Sequence, residues 1–309
     1  MAKTIINKSR QIKRLKSGIW GFCRALLLVG LAYIVLYTIV YIISISVRAP
    51  EEMMNPAVIW ITRTFTADNL KYAIEFMDYW SSLGRTALIA VSCTLLQCLS
   101  CSFAGYGFAR FKFKGRNVLF ACAILTLLVP TQITMLPQFL NYVRVENFTG
   151  IQMIDTPIPL MVNSILGMGL RSGLFVYLFR QFFKNMPKEL EEAAYIDGCD
   201  PLAAFFRVIF GNAKSIFLVV FLLSLVWYWN DYYTVPMFFS SAQPLSGSLQ
   251  SLHAVLDMSR DINGIPFTAS GKAVITKAGS LLFLLPILIL YCVLQKRFTQ
   301  SITDSAIVG

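Results

Sequence analysis

The sequence predicts an all-α integral membrane protein with about six transmembrane helices, and three observations predict it. Apolar residues make up 56% of the 309 and the mean hydropathy is +0.63, against roughly 45–50% apolar content in soluble globular domains. Apolar runs long enough to cross a bilayer fall at 22–47, 84–109, 117–140, 158–183, 214–239 and 274–295. The Lys and Arg residues behind the net charge of +11 sit mainly at the edges of those runs, with no basic stripe interleaved with aromatics, so topology explains them better than nucleic acid does.

Residues 1–21 form a basic tail carrying Lys3, Lys8, Arg10, Lys13, Arg14 and Lys16. The run Ala25–Ile45 has 21 residues and, at about 1.5 Å each, covers the roughly 30 Å hydrocarbon core. It is too long for a signal-peptide core and no small-residue cleavage site follows, so it reads as a permanent first span. With the external segment that follows it forms a unit over 22–83. That segment holds Pro50, Glu51, Glu52, Pro56 and the start of a helix near Asp68.

A core unit is expected over 84–295. The second span carries Ser, Cys, Gly and Ala every few residues, which permits close helix packing in lipid, and it ends in a basic turn with Arg110, Lys112, Lys114 and Arg116. The third contains Pro130 and Pro137, each removing a backbone hydrogen bond, with Thr131, Gln132 and Thr134 near the expected kink. Such a kink either exposes polar groups to a path or only fits the helix to its neighbours. The fourth holds Asn163, a Gly169-x-x-x-Gly173 pair and Arg171, which argues for an irregular outer part before a regular helix from about Ser172. A charge inside a span is either part of the translocation path or an interfacial anchor that snorkels outward. The fifth ends in Trp227-Tyr-Trp-Asn-Asp231, readable as an aromatic belt or as a pocket where Trp229 stacks on a sugar while Asn230 and Asp231 bond its hydroxyls. An external loop at 240–273 contains the one histidine, His253, read as a solvated side chain. A tail at 296–309 closes the chain. Six of the seven cysteines lie in or beside apolar runs and read as unpaired thiols; Cys98-x-x-Cys101 lacks the second pair or histidine that a metal site needs.

Placing the N-terminus in the cytoplasm puts most of the Lys and Arg there, in both tails, the 110–116 turn and the 184–213 loop, as the positive-inside rule requires. That loop is the most informative stretch. Pro187 suits a first helical position, and Glu189, Glu191 and Glu192 place negative charge at the positive end of the helix dipole. Gly198 can stop the helix in the left-handed conformation; Asp200 then caps a second helix opened by Pro201.

Glu192-Ala193-Ala194 followed by Gly198 resembles the cytoplasmic EAA loop of ABC-importer membrane subunits, the binding-protein-dependent permeases. Gly105 through Arg116, Pro130-x-Gln132 through Pro137, Trp229-Asn230-Asp231 and the closing Ser305-Ala-Ile-Val-Gly309 are similar to stretches of its maltose-type sugar-permease branch. The likeness covers roughly residues 80–309. It departs where the family continues into Ile-x-Leu-Pro: Val208-Ile209-Phe210-Gly211 stands there, with glycine replacing proline.

The resemblance implies a type I ABC-importer permease fold in a bacterial plasma membrane with both termini cytoplasmic. It implies a second homologous permease subunit, two ATP-binding subunits and an extracytoplasmic solute-binding protein reached by the 240–273 loop. The coupling helix would dock on the ATPase through Glu191, Glu192, Ala193, Ala194, Asp197 and Gly198. Gln132, Asn163, Arg171, Trp229, Asn230 and Asp231 are candidates for the translocation path. The cargo implied is a sugar or oligosaccharide, with glycerol phosphate or a modified sugar as the alternative. No Gly-x4-Gly-Lys-[Ser/Thr] occurs, so ATP and Mg are expected on the partner ATPase, and the chain is read as a transport subunit and not an enzyme. The rival classes are an ion-coupled carrier, which would normally place acidic residues within its spans, and a membrane scaffold without flux.

Overall fold

A computed structural model describes residues 2–54, 62–260 and 267–307, with side chains described from Ser17 to Lys296 apart from those intervals and Met54. Pro56 and the side chains of residues 1–16 and 297–309, which hold the basic residues of the first tail and most of the C-terminal tail, fall outside that description. The described elements are helices, with an isolated antiparallel bridge between Arg48 and Phe65.

Helix α1, Ala2–Ser46, is longer than the first span predicted from sequence, and its apolar side chains from Ile19 to Ile43 are largely exposed. Exposure on that scale is explicable only if lipid is the solvent. A short helix, α2 (Asp68–Phe76), leads into α3 (Tyr79–Arg110), the central element. The basic turn follows, then α4 (Arg116–Leu125), a 3-10 turn and α5 (Thr131–Thr149). This is not the kinked helix the prolines predict. The two pieces meet at 101°, a break and not a bend. Pro130 sits extended at the entrance of α5, where its missing N–H costs nothing, whereas Pro137 is accommodated inside α5.

The fourth span is divided into α6 (Ile158–Ile165) and α7 (Ser172–Asn185), joined by an irregular 166–171, so the expected regular helix from Ser172 is present. The hairpin comprises α8 (Glu189–Ile196), α9 (Pro201–Ala204), a π turn over Phe205–Ile209 and α10 (Phe210–Asn212). Helix α11 (Lys214–Asn230) ends nine residues short of the predicted span, because Asp231 starts a new turn leading to α12 (Thr234–Met237). The predicted external loop is partly helical: α13 (Leu245–Met258) packs on α14 (Ala269–Ile307) and α3. By length and composition three helices could each cross a membrane, and five could if each bent pair counts as one span.

Two apolar clusters flank α3. One joins α2, α3, α11, α13 and α14 around Met77, Phe238, Leu252 and Ile275; the other joins α3, α7 and the hairpin around Phe175, Phe179, Phe183 and Phe205. Gly105 permits the second, because a Cβ there would lie 2.6 Å from the Phe179 Cβ and 2.9 Å from the Arg180 nitrogen. All seven cysteines are free, Cys98 and Cys101 being buried within α3.

Candidate functional site: a two-faced hairpin and a cavity between broken helices

The hairpin folds as its residues dictate, with one correction. Pro187 lies two residues before α8 and Glu189 takes the first helical position, so the three glutamates still fill the first turn. Gly198 adopts φ +81° and closes α8: its N–H reaches the Tyr195 carbonyl (3.0 Å) and the Cys199 N–H reaches that of Ala194 (3.0 Å). Asp200 accepts the Ala203 N–H at 2.6 Å and caps α9. The exit turns through 82° at the buried Ala213, without help from Gly211, which is helical with open space around it.

The six hairpin residues divide between two faces. Glu191 and Ala194 turn inward: Ala194 is 3% exposed, and Glu191 Oε1 lies 2.7 Å from Arg110 Nε at the end of α3. The contact is an ion pair out of line for a hydrogen bond, and the Arg110 Nη2 instead donates to the Met186 carbonyl at 2.8 Å. Burial raises the Glu191 carboxyl above its ordinary range, against the pull of Arg110. Glu192, Ala193, Asp197 and Gly198 face outward, beside Ile196 (85% exposed), Leu202 and Phe206. Sequence reading counted Arg110 only as a topological charge; its position at a helix end facing a glutamate-rich turn was the available signal.

A cavity of about 270 Å³ lies where the α4/α5 break meets the α6/α7 break. Thr126, Thr131, Thr134, Gln138, Asn163, Ser172 and Tyr228 supply polar groups to its lining, and Arg171 supplies the one charge. Arg171 occupies the left-handed region (φ +57°) at the start of α7, with its guanidinium 4.6 Å from the centre of the Trp227 ring. Asn163 Oδ1 accepts the Tyr142 hydroxyl at 2.8 Å. Gly169 is required here, since a Cβ would meet the Tyr228 hydroxyl at 2.5 Å; at Gly173 one would meet the Ala123 carbonyl at 2.3 Å.

Asn163 and Arg171 therefore reach the cavity, and the other four predicted path residues do not line it. Trp229 is buried between α11 and α14 and donates its Nε1–H to the Phe283 carbonyl at 3.3 Å, so its faces are not available for stacking on a solute. Asn230 is exposed and donates back to the Val226 carbonyl; Asp231 accepts the N–H groups of Tyr233, Thr234 and Val235 and caps α12; Gln132 is exposed on α5. Asp and Trp serve caps and cores more often than ligands, and that local chemistry prevailed. Sequence reading also missed Gln97, fully buried in the middle of α3. Its amide donates to the Leu170 carbonyl (2.7 Å) and the Ser172 hydroxyl (2.8 Å) and accepts from Ser224 (2.8 Å), fixing the broken segment beside the cavity. A lone glutamine inside an apolar span is the kind of intramembrane polar residue that could have flagged it. His253, read as simply solvated, lies 3.3 Å from Asp257.

The chain is 27% identical over 308 residues to the arabinooligosaccharides transport system permease protein AraQ of Halalkalibacterium halodurans, covering 96% of this chain and 100% of that one. It is 26% identical to Protein LplC of Bacillus subtilis (94% and 95% covered) and 24% identical to the sn-glycerol-3-phosphate transport system permease protein UgpE of Escherichia coli (92% and 96%). Its fold is similar to that of a chain in the crystal structure of a bacterial ABC transporter involved in the import of the acidic polysaccharide alginate, with a TM-score of 0.74 at 21% identity, covering 91% of this chain and 96% of that one. Residues 101–302 match the family described as binding-protein-dependent transport system inner membrane component, a span that takes in α7, the hairpin, the cavity and most of α14. With two-thirds of its length inside that match, the chain belongs to the family of inner membrane components of binding-protein-dependent transport systems.

Proposed function

We propose that this chain is the sugar-translocating permease subunit of an ATP-driven importer, with both termini and the hairpin on the cytoplasmic side. It works with a second, homologous permease, two ATP-binding subunits that hold ATP and Mg, and an extracytoplasmic binding protein that delivers the solute. The observation that carries this reading is the two-faced hairpin. Its inner face is fixed to α3 by Arg110 and Glu191, and its outer face presents Glu192, Ala193, Ile196 and Asp197 with nothing covering them. A small residue flanked by a carboxylate and an exposed isoleucine suits a groove lined by apolar and basic groups. Movement of such a groove would act on α3, and through Gln97 on the segment bordering the cavity.

The solute assigned is a sugar or oligosaccharide, after the similarity to AraQ. A phosphorylated or otherwise modified sugar is the second reading, favoured by the similarity to UgpE and by the single cation in the cavity. An ion-coupled carrier fits less well, because no carboxylate lines the cavity among the described residues.

The test is an Ala193→Arg exchange in the assembled transporter reconstituted in vesicles. It enlarges only the outer face, so the chain should still insert and pair with the second permease while co-purification with the ATPase is lost and uptake falls at least tenfold. Undiminished ATPase recovery and uptake would remove the docking role from this face.

A further inference from the structure

The cavity carries a charge pattern that narrows the cargo. Its polar lining includes hydroxyls and amides from Thr131, Thr134, Gln138, Asn163 and Tyr228, suited to the hydroxyls of a carbohydrate, and its one ionised group is the cation Arg171. No Asp, Glu or Lys faces that cation across the cavity, and none of the ion pairs among the described residues includes it.

Position argues against an interfacial anchor. Helix α7 has 14 residues, so its start lies about 21 Å along the axis from its hairpin end, short of the roughly 30 Å needed to clear the hydrocarbon layer. The guanidinium also does not reach for the boundary; it lies flat over Trp227, itself about 20 Å from the start of α11. Stacking occupies one face of the guanidinium plane and leaves the N–H edges for in-plane bonds to an anion. The left-handed backbone at Arg171, disfavoured for a side chain with a Cβ, is held by contacts on both sides. The Ser172 N–H bonds to the Gly169 carbonyl (3.2 Å), and Gln97 grips Leu170 and Ser172.

We propose that this cavity selects a negatively charged sugar, a uronic acid or a sugar phosphate, whose carboxylate or phosphate meets Arg171 while its hydroxyls meet Asn163, Gln138 and Thr134. The assignment rests on the sugar-permease reading above and adds to it the sign of the cargo.

The test uses the assembled transporter in nanodiscs without binding protein, titrated separately with digalacturonate, galactose 1-phosphate, inorganic phosphate and neutral arabinobiose while tryptophan emission is followed. At least one charged sugar should bind tenfold or more tighter than arabinobiose, with a change in emission from Trp227 that Trp227→Phe removes. Arg171→Gln should abolish the preference, bringing the charged sugar to the affinity of arabinobiose in the same variant, and Arg171→Lys should restore part of it. Digalacturonate and galactose 1-phosphate distinguish the two sources of charge, and inorganic phosphate binding as tightly as either would show an anion site with no sugar recognition and overturn the proposal. Equal binding of charged and neutral sugars, or a preference that survives Arg171→Gln, would overturn the charge assignment and leave the sugar-permease reading standing. No binding of any sugar, with ATPase activity intact, would count against both. Assembly of each variant is checked by size-exclusion chromatography.

Discussion

At the hairpin end of the bundle a carboxylate is held by burial beside a cation, while at the end where α3 begins carboxylates are held in water by hydrogen bonds. Glu191 lies against Arg110 with both side chains nearly inaccessible, and burial pushes its carboxyl up. Glu52 and Asp155 are half-buried at the surface, and the Thr64, Thr62 and Ser240 hydroxyls, with backbone N–H groups, pull them down; Lys272 does the same for the exposed Asp257. The two ends therefore use the same side chain in opposite ways. A carboxylate whose desolvation outweighs its partner adds little net stability but fixes geometry, whereas one that collects donors in water ties loop to loop cheaply and without rigidity. The end with fixed geometry is the one assigned to meet a motor, and the end with exposed ties is the one assigned to meet a delivering protein.

Arg110 is where this contrast breaks most severely. Arg110→Met leaves Glu191 buried without its ion-pair partner and should destabilise the chain by about 3 kcal/mol, the lower part of the range for a halved buried pair, because Lys188 still acts on the carboxyl and a carboxyl already raised can protonate. The Arg110→Met, Glu191→Met double variant should return to within about 1 kcal/mol of wild type, the remainder reflecting the Met186 carbonyl that loses its donor. Thermal unfolding of the detergent-purified chain measures both. A double variant as unstable as the single one would mean that the pair contributes net stability and not position alone.

How far this contrast could be read in advance depends on what holds each element. The hairpin was legible residue by residue because Gly198, Asp200 and Pro201 act on their own backbone, and local chemistry needs no partner elsewhere in the chain. Its two faces were not, since which glutamate turns inward depends on where α3 ends. The breaks flanking the cavity were only half legible. Pro130 announced the first, yet a proline predicts a kink and the 101° turn comes from the extended backbone at Val129 and Pro130. The Trp229-Asn230-Asp231 pattern reads as an aromatic belt or as a sugar pocket, and what it packs on was not legible: Trp229 bonds to the Phe283 carbonyl on α14 and Asp231 accepts N–H groups at the start of α12.

A smaller effect sharpens the picture within the hairpin itself. Gly198 and Gly211 both have open space where a Cβ would stand, but Gly198 holds φ +81° and Gly211 is helical. Gly198→Ala should cost about 1–2 kcal/mol through backbone strain alone, whereas Gly211→Ala should be neutral or stabilise by up to about 1 kcal/mol. Protease sensitivity of the 184–213 segment follows the difference. Equal behaviour of the two variants would show that the hairpin's shape is set by its packing on α3 and not by its left-handed turn.

The smallest expected effect tests the other end, and its sign is fixed by Glu52. The carboxylate accepts the Thr62 hydroxyl (2.7 Å), the Arg63 N–H (3.0 Å) and the Thr64 N–H (2.8 Å), and the Thr64 hydroxyl approaches it as well. These donors, the two hydroxyls foremost, lower its pKa from the ordinary 4.5 to about 2. A depressed folded value means that the tie contributes fully above pH 4.5 and is lost as the pH falls from there toward 2. Glu191, raised by burial, runs the other way, its contribution being lost as the pH rises. Mild acid should therefore leave the hairpin at least as firmly seated while it begins to erode the hold of Glu52 on residues 62–64. Hydrogen exchange of the Arg63 and Thr64 amides, corrected for the pH dependence of intrinsic exchange, reads this directly. Protection should persist to pH 4.5, decline below it, and be reduced at every pH in Glu52→Gln, whose neutral amide is a weaker acceptor. Protection in Glu52→Gln equal to wild type at neutral pH would show that the segment is held by its neighbours and that the charge on Glu52 is incidental.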